Sequence, residues 1–158
     1  MGIFAGSEIV GIAVEIEKNG RDFYRLVAQN CKRPEAKRIF TMLEGEEEKH
    51  IAAFSAILQT MQKYEPAESY PQEYFAYMRA LAGDHIFTQK DKGTEVAKAI
   101  ATDKEALDKA IGFEKDSIIF YTAMNKVVPV SDQKIVEGLI EQEQGHLKQL
   151  LDFKQAFM

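Results

Sequence analysis

One cysteine, four prolines and no tryptophan stand among the 158 residues, and each scarcity excludes something. A lone Cys31 provides no intrachain disulfide framework and no thiol pair for zinc or an iron–sulfur cluster, so a reducing, cytoplasmic setting is expected. So few prolines, with no low-complexity tract, leave room for long uninterrupted helices and argue against a disordered linker. No apolar run approaches the length of a membrane span. The start, MGIFAGSEIVGIAVEIEK, lacks a basic region and meets Glu8 and Glu15 early, which does not suit a signal peptide. There is no excess of positive charge either. The formal net charge is −5, with Lys and Arg scattered among acids, so neither nucleic acid nor a membrane is an expected partner.

What remains is an ordinary globular composition, 46% hydrophobic and 28% charged, in a chain long enough to bury one core. A single domain over residues 1–158 is expected. Four stretches repeat their apolar residues at helical spacing: about Ser7 to Asn30, Pro34 to Lys63, Asp103 to Lys126 and Ser131 to Phe157. Pro34 suits a first helical turn, Thr102 with Glu105 forms a capping-box pattern, and Pro129 separates the last two helices. The long section Tyr64 to Ala101, punctuated by Pro66, Pro71, Gly83 and Gly93, predicts a crossover with short helices near Gln72 to Ala82 and Thr94 to Ala101. Two antiparallel hairpins joined by one long connection make an all-α, ferritin-like four-helix bundle the expected fold.

The inward stripe of each helix should be apolar, and the exceptions are informative. The first helix reads Val10, Ala13, Glu17, Gly20, Tyr24, Val27; the second Phe40, Leu43, Glu47, His50, Phe54, Ile57, Met61. The third reads Leu107, Ala110, Glu114, Ser117, Tyr121, Met124; the fourth Val136, Leu139, Glu143, His146, Leu150, Phe153, Phe157. Every stripe carries a Glu in its middle, and the second and fourth add a His three residues later on the same face. Four carboxylates facing one another in a core would be strongly destabilising unless neutralised. Two divalent cations balance four glutamates, with neutral imidazoles as further ligands, and a Glu from each of two helices plus Glu-x-x-His from each of two others is a known two-metal set. The metal ligands expected are therefore Glu17, Glu47, His50, Glu114, Glu143 and His146. Glu46 and Glu48 fall off the stripe and read as solvated; His85 and Cys31 read as ordinary loop or helix-end residues.

An internal repeat points the same way. AVEIEKNGRDFY (Ala13 to Tyr24) aligns without gaps on AIGFEKDSIIFY (Ala110 to Tyr121), and Leu43, Glu47 and His50 correspond to Leu139, Glu143 and His146, as a pseudo-two-fold axis between hairpins would require. Tyr24 and Tyr121, two turns beyond Glu17 and Glu114, could each donate a hydrogen bond to a ligand carboxylate or serve as plain core aromatics. Ligand type suits iron or manganese, with zinc or cobalt also compatible.

With E-x-x-H on the second and fourth helices and E-K-x-[GS]-x-x-F-Y on the first and third, the whole chain resembles the rubrerythrin branch of the ferritin-like superfamily. The resemblance implies two iron ions per chain, bridged by Glu47 and Glu143 and held terminally by Glu17, Glu114, His50 and His146. It also implies peroxide reduction, or ferrous oxidation by dioxygen or peroxide. The chain departs from classical members in having no Cys-x-x-Cys rubredoxin module, and Ser117 where many carry a further carboxylate. A separate electron donor, such as a rubredoxin-like protein, and a homodimer rather than a storage cage are therefore expected. The competing expectations are a non-catalytic metal-binding or iron-sensing bundle, in which ions chiefly hold the helices together, and a metal-free bundle whose glutamates are satisfied by protons or water.

Overall fold

The computed structural model describes residues 6–64 and 72–158, and all of its regular structure there is helical. The helices are α1 (Gly6–Asn30), α2 (Pro34–Tyr64), α3 (Gln72–Asp84), α4 (Lys92–Lys98), α5 (Asp103–Met124) and α6 (Val130–Phe157), with a 3₁₀ turn at Ile86–Thr88. Pro66 and Pro71, the first punctuation expected in the crossover, lie outside the described residues. None of the described helices is long and apolar enough to cross a membrane.

Local chemistry sets the ends. Pro34 opens α2, where its missing N–H costs nothing. Thr102 caps α5 by accepting from Glu105 N–H at 3.1 Å, while the Glu105 carboxylate reaches back to Ala101 N–H at 3.0 Å. Asp103, in the first turn of α5, accepts from the backbone N–H groups of Lys32 and Arg33 at 3.0 and 2.9 Å, tying the α1–α2 turn to the start of the second hairpin.

α1 pairs with α2 and α5 with α6, and the two hairpins meet through α1 with α5 and α2 with α6. The inward stripes form the shared core: Val10, Ala13, Phe40, Leu43, Phe54, Leu107, Ala110, Val136 and Leu150 are essentially inaccessible. One expected stripe runs out at its end. Phe153 is only half-buried and Phe157 is 41% exposed, its ring stacked on Phe153 and lying beneath the Arg33 guanidinium. At 28 residues, α6 outruns α1 and α5, and its last turn is met by the Arg33 guanidinium and by Asp108, 2.9 Å from Lys154.

The crossover is built into the core. α3 lies along α5, while the 3₁₀ turn and α4 lie on α1. Phe87 packs between Phe23 and Phe113, with ring centroids 5.6 and 4.8 Å away. Asn19 clamps this segment to α1: its Nδ2 donates to the carbonyls of Phe87 and Gln89, both at 2.7 Å, and its Oδ1 accepts from Gly93 N–H at 2.9 Å. The backbones approach so closely that a Cβ on residue 93 would fall 2.0 Å from the Asn19 carbonyl oxygen, so only glycine fits.

Candidate metal centre

Each of the four central helices delivers one carboxylate to the middle of the bundle, and the side chains of Glu17, Glu47, Glu114 and Glu143 are wholly buried. His50, one turn after Glu47, and His146, one turn after Glu143, enter from α2 and α6 with 1% and 6% exposure. Their rings stack at 5.6 Å with an interplanar angle of 18°. The six residues fall into two groups, each able to present one ligand atom per residue within a 4.8 Å span: Glu17, Glu47, His50 and Glu143; and Glu47, Glu114, Glu143 and His146. Glu47 and Glu143 belong to both, in positions to bridge, and the others to one each.

The hydrogen bonding leaves cation-seeking atoms in place. Glu17 Oε2, both carboxylate oxygens of Glu47, Glu114 Oε2, Glu143 Oε2 and His146 Nδ1 are buried without a hydrogen-bond partner. So many orphaned acceptors in one spot would cost several kcal/mol each as bare carboxylates. The set of oxygen and imidazole donors, doubled about a pseudo-two-fold axis, fits a pair of divalent metal ions.

Protons share the site in their place. Burial and the neighbouring Glu143 push the Glu17 carboxyl up to about 8. Burial, then Glu143, holds Glu114 well above the usual carboxylate range. Burial also opposes ionisation of Glu143, but the donors that face it, Glu114, His146 and His50, outweigh it and keep Glu143 well below that range. His50 is desolvated, which favours the neutral ring, yet its bonds to Glu143 and Glu17 prevail and raise it to about 11. A proton on His50 Nδ1, 2.8 Å from Glu143 Oε1 and 3.6 Å from Glu17 Oε2, thus sits where a cation would.

The two tyrosines exchange hydrogen bonds between hairpins. Tyr24 on α1 donates to Glu114 Oε1 on α5 at 2.6 Å, and Tyr121 on α5 donates to Glu17 Oε1 on α1 at 2.5 Å. Burial, followed by the adjacent carboxylate, raises both phenols well above their ordinary value, so they remain donors. Gly20 leaves room for the Phe113 ring, which would lie 2.6 Å from a Cβ there.

Three residues that stripe reasoning passed over bear on the site. Gln142, an exposed residue next to Glu143, accepts from His50 Nε2 at 2.8 Å. His85 does cap a helix end, as a loop or helix-end residue should, but it is buried (3% exposed) and its Nε2 lies 3.1 Å from the Ser117 hydroxyl. Its Nδ1 accepts from Phe87 N–H, and burial lowers its pKa to about 4 despite Glu143, so it is a neutral ring donating to Ser117. Asn19 is the third, holding the segment that carries His85. No apolar period marks any of them; only adjacency to Glu17 and Glu143 hints at Asn19 and Gln142. Cys31 remains an ordinary residue, its thiol pushed up to about 11 by burial and then Asp103. Off the stripe, Glu48 is exposed and pairs with Arg21, and Glu46 pairs with Lys49.

No curated protein matches the sequence. Among solved structures, the chain is similar to a Thermotoga maritima protein described as a candidate ferritin-like diiron-carboxylate protein. The two share 31% identity over 96% of this chain and 95% of that one, with a TM-score of 0.69. The bundle is thus ferritin-like, and no rubredoxin module accompanies it among these residues. The family model for rubrerythrin matches residues 8–154, nearly the full set of helices that build the two-metal ligand cluster, and the chain belongs to the rubrerythrin family.

Proposed function

We propose that the chain is a diiron-carboxylate oxidoreductase acting on hydrogen peroxide, or on dioxygen and ferrous iron, with electrons from a separate donor such as a rubredoxin-like protein. The observation that carries this reading is the doubled ligand set in which Glu47 and Glu143 alone are common to both halves. Glu17 and His50 would hold one iron, Glu114 and His146 the other. When bound, a ferrous pair supplies the two electrons needed to split an O–O bond.

The chain's own residues supply the rest. Tyr24 and Tyr121 hold the terminal glutamates by one oxygen each, leaving the other for metal. Gln142 fixes the His50 ring so that Nδ1 faces the carboxylates. Burial of all four glutamates excludes bulk water and strengthens each electrostatic contact. Anaerobic loading with two Fe(II) per chain, followed by peroxide, should give oxidation within seconds, read by absorbance, and repeated turnover when a reductant is supplied; Glu47→Ala should abolish it. A fully loaded protein that stays ferrous would sink the reading.

The near-complete burial of the ligands favours one alternative, a non-catalytic bundle in which the ions act as a staple or sensor. It differs by predicting large stabilisation by metal with slow oxidation.

A further inference from the structure

The pseudo-two-fold axis relates Glu17 to Glu114, Tyr24 to Tyr121, Glu47 to Glu143 and His50 to His146, which would make the two metal positions equivalent. Of the positions beside the ligands where it breaks, two bear on the metal positions. The residue before the shared glutamate is Glu46 on α2 but Gln142 on α6, and the residue one turn after the terminal glutamate is Gly20 on α1 but Ser117 on α5.

The first break falls on the imidazoles. On the Glu17 side, Gln142 Oε1 accepts from His50 Nε2 at 2.8 Å, which aims Nδ1 at Glu143 and Glu17. Gly20 lets the Phe113 ring close against this half, making its wall apolar. On the Glu114 side, His146 Nδ1 lies 3.4, 3.8 and 4.0 Å from Glu143, Glu114 and Glu47, and hydrogen-bonds to none of them. Glu46, the counterpart of Gln142, is engaged with Lys49 at 3.1 Å. Ser117, the counterpart of Gly20, accepts from the neutral His85 at 3.1 Å. Both imidazoles face the carboxylates, but the His50 ring is held from behind by Gln142, whereas Glu46 gives His146 no such partner. An outer partner of this kind is typically worth about 10–100-fold in metal affinity.

We infer that the two metal positions are unequal and fill in order, the Glu17–His50 position first and the Glu114–His146 position second, with Gln142 as the positioning residue that sets the order. This rests on the reading of the six residues as a two-metal site. Its consequence is a division of labour, with one tightly held ion and one exchangeable ion.

The test is an anaerobic Co(II) titration of the metal-stripped full chain, followed by the visible absorption of the bound ion. The wild type should bind two ions in two steps separated by about 10-fold or more in apparent Kd. Gln142→Leu should weaken the first step by about 10–100-fold and merge the two, while Gln142→Glu, which keeps an acceptor for His50 Nε2, should retain the separation. Helical circular dichroism on each variant separates loss of order from loss of fold. Two ions taken up with equal affinity, or a folded Gln142→Leu variant whose titration superposes on that of the wild type, would overturn the inference. A chain that binds no cobalt would overturn the two-metal reading itself, a visibly different result.

Discussion

Tyr121 and Tyr24 show how much of the centre depends on single atoms. Each phenol lies at 0% exposure and satisfies one oxygen of a glutamate anchored on the opposite hairpin. Removing one hydroxyl leaves a buried acceptor without its donor, a loss of about 1–3 kcal/mol. Tyr121→Phe in the metal-free protein should therefore lower the unfolding free energy by that amount, read as a lower urea midpoint at unchanged slope, and an unchanged midpoint would show that the bond contributes nothing net. At this scale the stripes made the ligands legible, because a charged residue at a core position is conspicuous against apolar neighbours. Gln142 was not legible: it lies off the stripe, and its role exists only because α2 and α6 bring it to His50.

At the level of elements, the crossover is the least regular segment, yet it completes one wall of the site. Asn19 makes three hydrogen bonds to it, two as a donor to carbonyls and one as an acceptor from Gly93. Asn19→Asp preserves shape and the acceptor but turns an anion toward the Phe87 and Gln89 carbonyls. It should cost about 3 kcal/mol or more. Hydrogen exchange should rise first in the 3₁₀ turn and α4, before α2 and α6, and uniform exchange across the bundle would count against the clamp. The short helices were foreseen near their observed places, with α4 running Lys92–Lys98 rather than from Thr94 to Ala101. His85 could not be assigned a role from a segment without periodicity. Its burial depends on Asn19 and Phe87 docking the turn against α1 and α5.

For the whole molecule, the cluster couples stability to protons and metal. Glu17 is raised to about 8 and His50 to about 11 in the folded chain, both above their ordinary values of 4.5 and 6.5. A group raised in this way binds its proton more tightly when folded, so its contribution is full below the ordinary value and is lost as pH rises through the raised one. Between pH 6.5 and 8 both act in the same sense, while His85, lowered to about 4, has its transition below that window. The melting temperature of chelator-treated protein should fall as pH is raised from 6.5 to 8. Metal affinity should rise over the same range, since the ions displace those protons. Thermal unfolding with and without Fe(II) at several pH values reads both, and a flat metal-free profile would contradict the buried-proton account.

Local periodicity, short loops and charge set on apolar faces dictate the four main helices, their pairing into hairpins and the six candidate ligands. The partners of those ligands emerge when the chain is folded: which tyrosine holds which glutamate, that Gln142 orients His50, and that Asn19 and His85 draw the crossover onto the site. Those contacts join residues from 32 to 104 positions apart, between helices and segments whose mutual approach no local pattern encodes.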